Sequence, residues 1–227
     1  ALRLSVSTSW RFLPLTFEAF GDYKLPGYIY TLVPFAAIFG LNEFSIRLPS
    51  FIFGSLSVVF LYLIVLELSK ERKWALLSAL LLAISPWHFF LSRIALEANL
   101  ALSFFLIGLY FLIVGLRKNL LLLWASIFFG LSIFTYNSAR IFVPLFLLGF
   151  LILFWRQVKF TNISIISAVI FAVFLAAGFY LAIFQDSSAR YYWIRILDEG
   201  AVSFLDQARN NSTLPDLLTK LIYNRPV

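Results

Sequence analysis

The chain has 227 residues, of which 62% are hydrophobic and 13% charged, with 27 phenylalanines, a mean hydropathy of +0.92 and a net charge of +7. A soluble domain of this length has no interior that could hide so much apolar surface, so a soluble globular fold is excluded and an all-α, polytopic transmembrane helical bundle is expected. With no cysteine there is neither a disulfide framework nor a thiolate metal site, and the redox compartment stays unread.

Residues 1–13 carry Arg3 and Arg11 with too short an apolar run for a signal peptide or a span. There is no methionine, even at position 1, and the chain stops at Asn224-Arg225-Pro226-Val227, so a fragment of a longer protein is expected. Residues 14–24 read as a polar, aromatic loop punctuated by Pro14, Gly21 and Pro26. The next apolar stretch, 27–40, is broken by Pro34 and closed by Gly40. It is shorter than the roughly 20 residues a span requires, which predicts an interfacial or re-entrant helix. Tyr23, Tyr28 and Tyr30 suit the water interface, where amphipathic rings collect.

Six spans are predicted next, over 48–69, 74–91, 98–116, 119–136, 141–155 and 163–184. This divides the chain into an outer loop with its interfacial helix at 1–47, a bundle at 48–184, and the start of a loop or soluble part at 185–227. Lys70, Arg72, Lys73, Arg117, Lys118, Arg156 and Lys159 all fall in loops on one face, and an excess of basic residues in short loops marks the cytoplasmic side. Glu43, Arg47, Arg93, Glu97, Arg140, the stretch Gly21-Asp22-Tyr23-Lys24-Leu25-Pro26 and the segment from Asp186 then fall on the extracytoplasmic face of what would be the cell membrane. The net charge is therefore largely a topology signal. No basic stripe with stacking aromatics lies outside the membrane, which argues against nucleic-acid binding.

The outer charges differ in kind from the inner ones, being single, of both signs, and set at the edges of apolar segments. Arg93 and Glu97 are four apart, which would place them on one helix face. Two readings stand: a mutual ion pair at the interface, or a cavity for an anionic lipid headgroup in which Glu97 takes or guides a proton. Isolated arginines at a membrane boundary suit phosphate, because the guanidinium fork matches its oxygens and stays charged. His88, the only histidine, sits beside Trp87 and is expected to anchor a helix end at the interface. No cofactor motif is evident, and a divalent metal is left open. Asp186 and Arg190 read as solvated loop residues. Of the glycosylation-type triplets at Asn162, Asn210 and Asn211, the first would lie on the inner side, where no modification occurs.

The order GDYKLPGYIY, FGLNEFSIRLPS, ISPWHFFLSRIALEANLAL, FGLSIFTYNSARIFVPL resembles the dolichyl-phosphate-mannose-protein mannosyltransferase superfamily, from about residue 12 to the end. More narrowly it is similar to bacterial and archaeal family 39-like glycosyltransferases of the GT-C fold. The resemblance implies transfer of a sugar from a polyprenyl-phosphate donor to an acceptor, which could be a protein, a lipid or a glycan. It puts Lys24 on the lysine that helps hold the donor phosphate, Arg47 on the arginine of the RLPS element, and Arg93 and Glu97 on an arginine followed by an acid that is usually aspartate. It also puts the family's principal acid in a loop before Ala1, near which Asp22 lies without falling on the motif, so these residues alone are expected to be inactive. Displacing polyprenyl phosphate takes a base for the acceptor, for which Glu97 and Asp22 are the candidates. It also takes positive charge for the departing phosphate, for which Lys24, Arg93, Arg140 and Arg47 are the candidates. A transporter or lipid flippase would also hold isolated charges in a bundle, but with midplane charges or broken helices in paired halves, and no internal repeat is evident. A purely structural subunit would have no need of four charged outer elements.

Overall fold

A computed structural model describes residues 17–19, 22–157 and 161–184. Asp186, Arg190, Lys159, Asn210, Asn211 and the expected segment 185–227 lie outside the described residues. A short antiparallel hairpin comes first, β1 (Phe17–Ala19) paired with β2 (Asp22–Lys24) in the register Phe17 to Lys24 and Ala19 to Asp22. Helix α1 (Pro26–Phe39) follows at once, because Pro26 occupies the first helical turn, where its missing N–H is no loss. It stops at Gly40, whose φ of 75° is open to glycine at little steric cost.

Helix α2 (Glu43–Ser69) is set by a capping box. Asn42 Oδ1 accepts from the Ser45 N–H at 2.9 Å, and Ser45 Oγ accepts from the Asn42 N–H at 3.2 Å. The helix therefore begins five residues before the expected start, and the expected boundary at residue 47 falls inside it. The expected span 74–91 is not one helix but two, α3 (Arg72–Ile84) and α4 (Pro86–Arg93), bent by 60° at Ser85. Proline at 86 pushes the preceding residue out of the helical region, and Ser85 has φ −60° and ψ 120°. The remaining helices are α5 (Glu97–Gly115), α6 (Leu121–Thr135), α7 (Ala139–Phe154) and α8 (Asn162–Phe184).

Among the described residues α2, α5 and α8 are long and apolar enough to cross a membrane, and the bent pair α3–α4 makes a fourth crossing if it counts as one span. Helices α6 and α7 have 15 and 16 residues. At ~1.5 Å per residue they fall short of a hydrocarbon core about 30 Å thick unless their flanking turns add length. Leu76, Leu80 and Leu81 on α3, Ile152 and Leu153 on α7 and Val169 and Val173 on α8 are exposed, as a lipid-facing surface requires.

Hydrogen bonds between helices fix the directions of packing. Asn99 reaches Ser50, Ser103 reaches Ser57 at 2.7 Å, and Arg117 reaches Glu67 at 2.7 Å, so α2 and α5 run parallel along their whole length. Ser132 Oγ donates to Ala101 O at 3.0 Å, which makes α6 antiparallel to α5, and Ser167 Oγ donates to Leu122 O at 2.9 Å, which aligns α8 with α6. Such contacts need small residues, since apolar side chains gain nothing from leaving lipid for one another and close backbone approach must supply the packing. Two aromatic-rich clusters fill the interior, one around Phe129, Ile133 and Val143, the other around Tyr28, Leu100, Phe104 and Ile107.

Candidate active site

These directions sort the charges to two ends. At one end lie the last turn of α2 and the α5–α6 turn, where Glu67 Oε1 is 2.7 Å from both Lys70 Nζ and Arg117 Nη1. At the other end gather β2, the start of α1, the starts of α2, α5 and α7, and the end of α6. Gly27 packs so closely on α6 that a Cβ there would lie 2.8 Å from Thr135 Cα. Tyr28 donates its hydroxyl to Ile46 O at 2.8 Å. The Arg140 side chain lies against Gly178 of α8, whose Cβ would stand 4.0 Å from the arginine Nε. Lys24, Arg47, Arg93, Glu97 and Arg140 thus share one end of the bundle, opposite Lys70, Arg72, Lys73, Arg117 and Lys118.

Their settings differ. Lys24 is half-buried, one residue before α1 is entered through Leu25 and Pro26, both buried. Arg140, the second residue of α7, is only 5% exposed; a guanidinium that stays charged inside an apolar bundle is costly to keep and therefore a functional candidate. Arg47 turns outward and lies 3.8 Å from Glu43 one turn earlier on α2, a solvated pair. Arg93 is exposed, with its guanidinium 4.8 Å over the Phe89 ring. Asp22 is placed by its backbone only, opposite Ala19 in the hairpin, and its side chain lies outside the described residues.

The helix face expected for Arg93 and Glu97 does not exist. Arg93 ends α4, Glu97 begins α5, and the turn 94–96 separates them. Among the described residues no ion pair joins them. Glu97 is half-buried at the head of α5, where the helix dipole favours a negative charge. Its charge is felt at Tyr28 on α1. Burial of Tyr28 pushes its phenol up to about 12, and the nearby Glu97 carboxylate adds to the rise, while hydrogen bonding with Ser50 opposes it. Tyr28 therefore stays a neutral donor, in a helix too short to span, and ties the helix that follows Lys24 to α2.

Two residues at this end have partners that the sequence did not announce. His88, expected to anchor a helix end, is buried against α2 with Nε2 3.1 Å from Gly54 O, while its neighbour Trp87 is exposed. Asn99, two residues after Glu97, is 1% exposed, and its Nδ2 donates to Ser50 O at 2.8 Å and to Ser50 Oγ at 3.1 Å. Asn99 Oδ1 is buried with no hydrogen-bond partner, a condition that costs about 1–3 kcal/mol. Only a polar residue inside an apolar segment could have flagged it. Among the described residues no three His, Asp or Glu side chains gather as metal ligands would. An almost wholly apolar cavity of about 690 Å³ lies between α5, α6, α7 and α8, lined by Leu112, Leu122, Phe129, Leu147 and Phe171. It reaches toward the Asn119 end, and no acid or base is among its described lining residues.

Long apolar helices, with an acid at a helix head, a buried arginine and a lysine at a helix entry gathered at one end, define a polytopic helical membrane protein. Residues 24–181, more than two thirds of the chain, match the dolichyl-phosphate-mannose-protein mannosyltransferase family. The chain belongs to that family, and it is a membrane glycosyltransferase of the mannosyltransferase type. Comparison with curated proteins and with solved structures gave no significant match.

Proposed function

We propose that the protein moves a sugar from a polyprenyl-phosphate donor to an acceptor at the extracytoplasmic face of the cell membrane. One observation carries this reading: the family match opens at Lys24, and Lys24, Glu97 and Arg140 stand at the end of the bundle opposite the clustered basic loops. Lys24, Arg140 and the exposed Arg93 would neutralise the departing phosphate, while Glu97 would draw the proton from the acceptor hydroxyl as it attacks the anomeric carbon. Asp22, on the hairpin that leads into α1, is the other candidate carboxylate. Arg47 has a lesser part, since it is solvated and shared with Glu43. The orientation rests on the basic loops, whose side is the cytoplasmic one. In this frame the bundle begins with α2 at Glu43 and runs to residue 184, and 1–42 and 185–227 belong to the outer face.

Two measurements on the full-length protein test this. Release of polyprenyl phosphate from a polyprenyl-phosphate sugar donor, in reconstituted membranes, is expected from the wild type and its absence would refute the activity. A single cysteine at position 118 in this cysteine-free sequence should resist a membrane-impermeant thiol reagent added from outside; labelling there would reverse the orientation.

A further inference from the structure

Ser50 joins the elements that carry the candidate site. Its Oγ donates to Leu91 O at 3.2 Å, and its own carbonyl oxygen and Oγ accept from Asn99 Nδ2 at 2.8 and 3.1 Å. Leu91 lies two residues before Arg93 and Asn99 lies two residues after Glu97. A single serine, 0% exposed, therefore ties down both ends of the turn that bears the cation and the acid. One turn further along α2, Gly54 repeats the device. Its carbonyl oxygen is 3.1 Å from His88 Nε2, and a Cβ on it would come 2.6 Å from Ser92 Cβ, so α4 lies directly on the α2 backbone. On the near side, one turn before Ser50, Ile46 O accepts the Tyr28 hydroxyl at 2.8 Å, which locks α1 and the Lys24 entry to the same stretch of α2.

The 60° bend at Ser85 makes this clamp necessary. Helix α4 has only eight residues and leaves the direction of α3, so nothing in its own length would hold the turn 94–96 in register with α1. We propose that Ser50 and Asn99 are a positioning pair, which sets where the Glu97 carboxylate stands relative to Lys24 without itself touching substrate. The proposal rests on the reading of this end as the transfer site.

The test uses the full-length protein in nanodiscs, with Ser50→Ala and Asn99→Leu made singly and together, and Ser57→Ala as the control. Ser57 is equally buried and bonds Ser103 at 2.7 Å, two turns further from the Arg93–Glu97 turn. Misplacing a catalytic group by about 1 Å lowers turnover by about ten- to a hundredfold, so kcat should fall by that much in Ser50→Ala and Asn99→Leu while KM for the donor stays within about twofold. The loss in the double variant should fall short of the sum of the two single losses, because both substitutions remove the Asn99 Nδ2 to Ser50 Oγ bond. Ser57→Ala should keep its kcat. A spin label at position 96, which is exposed at the turn, should be ordered in the wild type and mobile in Ser50→Ala. Equal losses in all variants, or a loss carried by KM alone, would reduce Ser50 to general packing. An unchanged spin-label spectrum would overturn the clamp even if no sugar transfer were found, whereas a mobile label without wild-type transfer would leave the clamp and remove the function assigned to it.

Discussion

The closest approach at the charged end is that of Gly27 to α6, and it gives the sharpest test of how α1 is held. A Cβ at position 27 would meet Thr135 Oγ1 first, then Thr135 Cα at 2.8 Å and Thr135 Cβ at 2.9 Å. Backbone cannot swing aside as the tip of a flexible side chain can, so Gly27→Ala must push α1 away from α6 by several tenths of an ångström or more. Overpacking of this kind costs about 1–3 kcal/mol, and the better helix propensity of alanine returns about 0.5–1 kcal/mol of it. The net loss should be about 1 kcal/mol and no more than about 2.5 kcal/mol, with Lys24, three residues upstream, displaced along with the helix. Gly149 on α7 is the matched control, since a Cβ there has nothing within 4 Å. Unfolding midpoints in detergent and donor turnover, measured on both variants, should show Gly27→Ala less stable and slower and Gly149→Ala unchanged or slightly more stable. Equal behaviour of the two would refute the claim that the α1–α6 contact holds the Lys24 entry.

Glu97→Gln should lower turnover by about 10²–10⁴, the range for removal of a general base, whereas Glu97→Asp keeps a carboxylate and should retain measurable activity. Lys24→Ala should weaken donor binding by about 1.5–3 kcal/mol, roughly ten- to a hundredfold, while Arg47→Ala, made on an exposed pair, should change it by less than about 1 kcal/mol; titrating donor against each variant separates them. The phenol of Tyr28, held up at about 12 partly by Glu97, should ionise at lower pH in Glu97→Gln, read as the ultraviolet difference from the same protein carrying Tyr28→Phe. Because this pKa is raised, the neutral phenol's contribution is full below the ordinary tyrosine value of about 10 and is lost as pH rises through about 12. At the opposite end, removing Glu67 from its pairs with Lys70 and Arg117 should matter little, under about 1 kcal/mol and less at high salt.

Much of the architecture was legible because a bilayer demands long apolar runs. The predicted segments 98–116, 119–136, 141–155 and 163–184 reappear as α5 to α8 within a few residues, and the short helix predicted over 27–40 is α1. The break at Ser85-Pro86 was also written in the sequence, in the restriction proline places on the residue before it, but the continuous hydropathy of 74–91 hid it. Arg93 and Glu97 were misjudged separately: their spacing of four was read as a shared helix face although both lie between the predicted spans 74–91 and 98–116, and the turn 94–96 removes that face. The partners of His88 and Asn99 went unread for another reason. Gly54 and Ser50 are 34 and 49 residues away, and no local pattern announces a hydrogen bond across that separation. Charge at the ends of spans shows which side a residue is on; which charged side chains face each other depends on packing.

The central claim is that Lys24 and Glu97 serve one reaction from one end of the bundle. Single-turnover transfer from a polyprenyl-phosphate sugar, measured side by side for the wild type, Lys24→Ala and Glu97→Gln, tests it most directly. Lys24→Ala should lose donor affinity, and Glu97→Gln should lose the rate at saturating donor with affinity kept. Wild-type rates and affinities in both variants would contradict it.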